Sequence, residues 1–269
     1  MPYTPSHYWS RLHDRRDLSA VGQSGLPTAM NEQLYRILAR NLREFLRKSH
    51  VERIGPGAFE VGAGSGYWFG LWHSLGAERI DGCDLVPAAV DDLASRFGAR
   101  GTFRVADVGV DDLGPGQYDF VACMNVLLHI TDDVRFDHAL ATIAKIVRPG
   151  GRLLLTEPML FHERFARPYD PDASSRARPL VRYVKPLETQ GLRLEALAGA
   201  TAIGNNPIEG RWPWLYFFWR GVWMAASMPV RIHRASAPLV GGALYTFDPV
   251  LLALHAAPSS KFALFIRPA

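Results

Sequence analysis

Between Ala58 and Thr156 the chain alternates short apolar runs with helical stretches, and that alternation admits few folds. Ala58–Val61, Arg79–Asp84, Thr102–Ala106, Tyr118–Met124 and Arg152–Thr156 read as strands. A helix follows the first strand and runs through Leu75. Pro87–Phe97 reads as a second, with proline at the first position, where its missing N–H is no loss. Asp137–Arg148 reads as a third, with Leu140, Ile143, Ile146 and Val147 on one face, stopped by Pro149-Gly150-Gly151. The fourth strand is apolar almost throughout, as expected of a strand covered on both faces. Strand–helix–strand repetition predicts parallel strands joined by right-handed crossovers, a doubly wound α/β sheet. Leu192–Leu197 and Lys261–Ile266 add two strands, giving a mostly parallel, seven-stranded Rossmann-like sheet.

The flanks follow another pattern. From Thr28 to near Lys48, Met30, Leu34, Ile37, Leu38, Leu42, Phe45 and Leu46 recur at spacings of three and four, a helical stripe. Residues 1–50 are therefore expected to form a helical lid or cap on a domain spanning 51–269. An insertion at 201–260, helical and aromatic, precedes the last strand. With 48% apolar and 21% charged residues the bulk is globular, which excludes disorder. Thirty basic against 26 acidic side chains leave +4, which does not argue for a nucleic-acid partner. Cys83 and Cys123 both fall in apolar strands, excluding a disulfide framework and a cysteine metal site. That cysteine usage makes the reducing cytoplasm the expected location, and Met1–Arg16, without an apolar h-region, does not read as a signal peptide.

The first strand runs into Glu60-Val61-Gly62-Ala63-Gly64-Ser65-Gly66. Glycines suit a sharp strand-to-helix turn where a ligand approaches the backbone. The dinucleotide pattern is G-x-G-x-x-G, but here the third glycine comes one residue early. Glu60 adds a negative charge, which serves a cationic ligand and not a pyrophosphate. No Gly-Lys-Ser/Thr follows, so a Walker-type phosphate loop is excluded.

On these residues the sequence resembles the class I S-adenosylmethionine-dependent methyltransferases, over roughly Phe59 to Glu157. Their first motif resembles Glu60–Gly66, which implies cofactor contacts from Glu60, Gly62, Ala63, Gly64 and Gly66. Asp84, with Leu85, matches the acid that binds the ribose hydroxyls. Asp107, with Val108, matches the one that binds the adenine amino group. Tyr118-Asp119-Phe120-Val121 running into Asn125, and the turn Arg148-Pro149-Gly150-Gly151, are also similar to the family's. The resemblance implies S-adenosylmethionine as cofactor and S-adenosylhomocysteine as product. All these polar residues fall at the carboxyl ends of the expected strands, the edge where open α/β sheets bind ligands.

Methyl transfer from a sulfonium is an in-line displacement, so alignment of the acceptor dominates, and a hydroxyl acceptor also needs a base. His129, just after the fourth strand, is the first candidate; Glu157 and His162 are the next. Tyr8 and Trp9 in the opening segment, Arg178 and Arg182 in the Arg-rich stretch 164–185, and Trp212, Trp214 and Trp219 in the insertion are the candidate acceptor contacts. The arginines read first as a solvated, lid-like loop, and otherwise as holders of a phosphate or other anionic group of the acceptor. Asp132-Asp133 is readable as a Mg²⁺ pair or a helix start, and no metal is expected.

Trp212–Val230 is aromatic and apolar, but Arg220 at its centre argues against a transmembrane span. It is expected to wall the acceptor pocket, with a peripheral membrane helix as the other reading. The expectation overall is O-methylation of a small molecule, a sugar or secondary-metabolite hydroxyl. C-methylation of an apolar, prenyl-diphosphate-like acceptor is the close rival. Nucleic-acid methylation ranks lower because Val126-Leu127 stands where base-flipping enzymes carry Pro-Pro-aromatic, and a non-catalytic cofactor-binding subunit because the set of binding motifs is complete. The oligomeric state is left open.

Overall fold

The computed structural model describes residues 3–13, 18, 22–23, 25–114, 118–202, 208–209, 212–254 and 258–269. Its main sheet contains β1 (Gly57–Val61), β2 (Arg79–Asp84), β3 (Phe103–Val105), β4 (Tyr118–Met124), β5 (Val147–Glu157), β8 (Arg193–Gly199) and β9 (Lys261–Ile266), in the order β3-β2-β1-β4-β5-β9-β8. β1 to β5 pair in parallel, and β9 runs antiparallel to both β5 and β8. Two short strands, β6 (Met159–Leu160) and β7 (Arg178–Pro179), form a separate parallel pair. This is the mostly parallel, seven-stranded α/β sheet that the alternation predicts.

Period-two alternation sends each central strand's side chains to two separate cores. On one face Phe59, Val61, Val121, Cys123, Leu153 and Leu155 pack on α5 (Asp133–Lys145) through Phe136, Leu140 and Ile143. On the other, Ala58, Phe120, Ala122 and Leu154 pack on Leu42, Phe45 and Leu46 of α2 (Thr28–Lys48) and on Trp72 of α3 (Phe69–Ser74). α4 (Pro87–Phe97) adds Leu93 to that second core. Helix α1 (Pro5–His13) lies near the start of the chain and α6 (Val181–Thr189) precedes β8.

Two of the boundaries that differ from the sequence reading have clear local causes. Helix α5 starts at Asp133, four residues early, because the Asp132 carboxylate accepts from the Arg135 N–H at 2.9 Å and caps it. Pro149-Gly150-Gly151 lies within β5 and does not merely end a helix. Val147 already pairs with Tyr118, and the Gly150 N–H donates to the Arg267 carbonyl at 2.9 Å.

The insertion holds two helices, α7 (Pro213–Ile232) and α8 (Ala237–Leu254). They form a third core with the first half of α2, where Met30, Leu34 and Ile37 meet Trp219, Trp223, Val230 and Leu244. Helix α2 thus faces the sheet with its second half and the insertion with its first. Among the described residues one helical segment, Arg234–Leu254, is long and apolar enough to cross a membrane.

Candidate functional site

Strand order reverses between β1 and β4, and a cavity of about 290 Å³ opens at the carboxyl ends of the strands there. Glu60, Gly62, Ala63, Gly64, Asp84, Leu85, Asp107, Val108 and Asn125 all line it. Gly66 does not; its φ of +70° shapes the turn, and an added Cβ would meet Phe97 at 2.8 Å.

The turn after β1 is built for close approach. Gly62 has φ +65°, and a Cβ there would fall 2.4 Å from Val126 Cγ2, so the loop after β4 presses directly on the glycine turn. The Gly64 N–H donates to Asp84 Oδ2 and the Val86 N–H to Oδ1, both at 2.9 Å. Each oxygen keeps a lone pair, so this carboxylate is fixed in place and still able to accept from a vicinal diol. Asn125, which follows β4, adopts φ +58°, in the left-handed region that asparagine tolerates.

Glu60 is buried, and Trp72 Nε1 donates to its Oε2 at 2.6 Å. Burial pushes its carboxyl up to about 8; the Trp72 bond opposes this and the neighbouring Asp84 charge adds to it. A cation entering the cavity would favour the carboxylate. Asp107 bonds the Gly109 N–H at 3.0 Å through Oδ1 and pairs with Arg135 through Oδ2. Arg135 also lines the cavity. The donor and acceptor set fits an adenosyl sulfonium: acids for ribose hydroxyls and a cation, and positive-φ glycines where the backbone must come near.

His129 ends a short 3₁₀ turn, Leu127–His129, and lines the cavity. Its Nδ1 lies 2.7 Å from the Ser174 carbonyl. A carbonyl only accepts, so Nδ1 carries the proton and Nε2 is left with a lone pair. Burial holds the imidazole below its usual pKa, against that bond, and so keeps it neutral. Trp9 packs edge-on against the ring, 4.7 Å between centroids, and lines the same cavity.

Several sequence candidates lie elsewhere. Glu157 is buried behind the 126–128 turn: Oε1 accepts from the Val126 and Leu127 N–H groups and Oε2 from Leu128, at 2.8–3.0 Å. Burial raises its carboxyl to about 8 while the three N–H donors pull the other way. Its oxygens are engaged in holding backbone, which corrects the expectation of a base facing an acceptor. His162 is not among the cavity-lining residues; its N–H is held by Glu209.

Tyr8 packs on Trp9 but does not reach the cavity. Arg178 is buried, bonding Asp133 Oδ1 at 3.0 Å and the Ile130 and Thr131 carbonyls at 2.8 Å, and Arg182 pairs with Asp137. Both arginines hold the start of α5, so neither meets the expectation of an acceptor contact, and a diphosphate site loses its motive. Asp132 caps α5 and Asp133 meets Arg176 and Arg178, which accounts for that pair as a helix start. Trp212, Trp214 and Trp219 do not line the cavity: Trp219 is buried in the third core, while Trp212 and Trp214 are more than half exposed.

The aromatic wall comes from residues the sequence reading passed over. Tyr3, Tyr35, Tyr67, Trp68 and Tyr169 line the cavity with Trp9. Tyr35 lies edge-on to Tyr67 at 4.8 Å, and Tyr67 to Trp68 at 5.0 Å. One signal was available: Tyr67-Trp68 directly follows the glycine turn, where a ligand is expected.

Residues 58–151 match the methyltransferase domain family. Within that segment lie the glycine turn, Asp84, Asp107 and Asn125, the residues that carry the sequence resemblance. The ubiquinone biosynthesis O-methyltransferase of Xanthomonas euvesicatoria is 33% identical over 116 residues, covering 40% of this chain and 45% of that protein. The same-named protein of Burkholderia vietnamiensis is 33% identical over 107 residues, 38% of this chain and 44% of that one. The chain thus spans less than half the length of the curated relatives it matches. In fold, the methyltransferase domain and its flanks resemble a chain of a Haloferax volcanii complex between a methyltransferase activator and a methyltransferase, with TM-score 0.59, 16% identity, and 99% and 100% of the two chains covered.

Proposed function

We propose that the chain transfers a methyl group from S-adenosylmethionine to a hydroxyl of a small, ring-bearing molecule, an aryl or glycosyl alcohol. The observation that carries this reading is the fixed tautomer of His129, with a basic Nε2 beside an aromatic-walled cavity. When bound, the cofactor supplies an electrophilic methyl on a positively charged sulfur. The chain's own residues supply the rest. Asp84 would accept from the ribose diol, Glu60 would face positive charge, and the Gly62 turn would admit the ligand to the backbone. His129 Nε2 would take the hydroxyl proton as oxygen attacks, a contribution of about 10²–10⁴ in rate. Trp9, Tyr3 and Tyr169 would hold a flat ring over the base and exclude water. The O-methyltransferase name of the relatives supports oxygen as the methylated atom.

The test is release of S-adenosylhomocysteine from the purified chain with a panel of phenols and glycosides, each paired with its methyl ether. Release with a hydroxyl compound and none with its ether supports the reading. Cofactor binding without release on any hydroxyl compound would favour a non-catalytic role.

A further inference from the structure

Both helices of the insertion are apolar on all sides, yet each is covered on one side only. Helix α7 buries Trp219, Trp223 and Val230 in the third core. On the rest of its surface Trp214, Phe217, Phe218, Met224, Met228 and Ile232, mostly three or four residues apart, are each at least half exposed. Helix α8 does the same: Gly241, Leu244 and Asp248 are buried, while Leu239, Phe247, Val250 and Leu254 are more than half exposed. A helix apolar all round belongs inside protein or lipid, and a large exposed apolar surface marks an interaction site.

Charge decides the partner. Arg220, Arg231 and Arg234 are exposed on this hairpin. Its one carboxylate, Asp248, is buried against α2, where it accepts from Asn41 Nδ2 at 2.6 Å and from the Ala202 N–H at 2.8 Å and pairs with Arg40. The outer surface of the two helices is therefore aromatic, aliphatic and positive only. A second copy docking by two-fold symmetry would set these arginines against an identical patch that offers no carboxylate. The geometry points to a docking surface for an anionic phospholipid bilayer, with α7 and α8 lying in the plane of the headgroups.

Lying flat, and not crossing, follows from the anchors. Asp248 ties α8 to α2, whose second half packs on the sheet, and Arg220 sits midway along α7. Trp and Phe enter the headgroup–acyl boundary while Arg stays among the phosphates, as in interfacial helices. The same α2 carries Tyr35 into the cavity, so the docked face lies one helix away from the aromatic wall. This inference stands independently of methyl transfer.

The experiment is co-sedimentation of the full chain with sucrose-loaded vesicles of phosphatidylcholine, alone and with phosphatidylglycerol added. Capture is expected on the phosphatidylglycerol vesicles, weakened by salt and by about fivefold for each of Arg220→Gln, Arg231→Gln and Arg234→Gln. The double variant Phe217→Glu/Leu239→Glu is expected to abolish it; both sites are exposed, so its thermal transition should be kept. No capture on phosphatidylglycerol vesicles, or equal capture on phosphatidylcholine alone, overturns the proposal. A dimer in sedimentation velocity that the double variant dissociates, with no vesicle capture, also overturns it and assigns the face to a second copy. Should the double variant lose its thermal transition, the triple arginine variant decides: unchanged affinity and salt dependence overturn the proposal, and weakened capture supports it.

Discussion

His129 Nδ1 donates to the Ser174 carbonyl at 2.7 Å, and this single bond fixes which nitrogen of the ring is basic. Burial keeps the imidazole below its usual pKa, so it is neutral over most of the physiological range. Protonation removes the lone pair, so turnover should fall as pH drops through that pKa, giving an acid limb below about 6.5. His129→Gln is expected to lower kcat by about 10²–10⁴-fold and to erase that limb, with the cofactor Kd unchanged. Measured kcat against pH decides; full turnover in the variant takes His129 out of the chemistry.

Glu60 carries the second prediction. Its carboxyl, raised to about 8, is protonated at pH 7 in the ligand-free protein. A bound cation favours the carboxylate, so S-adenosylmethionine should displace a proton and bind more tightly as pH rises toward 8. Calorimetry at pH 7 in phosphate and in Tris should give different apparent heats, and Glu60→Gln should remove the difference. The linkage to stability has the opposite sense. The unfolded chain gives up this proton near 4.5 and the folded chain near 8, so the folded state binds the extra proton between them. This group therefore makes stability fall as pH rises across that interval, and Glu60→Gln should flatten the slope in Tm.

Local signals made the sheet and its glycine turn readable. β4 declares itself because residues 120–123 are apolar in succession, and Glu60–Gly66 because three glycines in five residues serve only a tight, ligand-facing turn. The arginines were not readable. Arg178 looks like any loop cation in sequence, and only a partner 45 positions away, Asp133, shows it to be buried. The aromatic wall was hidden for the same reason, since Tyr3, Tyr35, Tyr67 and Tyr169 come together from four separate segments. The insertion misled through its composition: a tryptophan-rich run suggests a pocket, but its helices pack on α2 and turn their other side outward.

The two arginines should separate cleanly. Arg178 is buried, and Arg178→Met takes the donor from the Ile130 carbonyl, while Arg176 still bonds Thr131 and Asp133, so it should cost about 1–3 kcal/mol in unfolding free energy. Arg182 is an exposed partner of Asp137, and Arg182→Ala should change stability by less than about 1 kcal/mol. Urea unfolding measures both. Acceptor KM should be unchanged in Arg182→Ala, and a selective rise in KM there would restore an acceptor-binding role.

Glu157 gives the last prediction, a test of scaffold against chemistry. One of its oxygens holds the Val126 and Leu127 N–H groups and the other holds Leu128, so this carboxyl group sets the turn that delivers His129 to the cavity. In Glu157→Gln the amide oxygen can keep two of these donors, but the NH₂ then faces the third N–H. The expected loss is about 1–3 kcal/mol, a Tm drop of several degrees. Turnover should fall with it, because the turn carrying the base loosens, while the pH of the acid limb stays with His129. A full loss of turnover at unchanged Tm would show instead that Glu157 takes part in proton transfer.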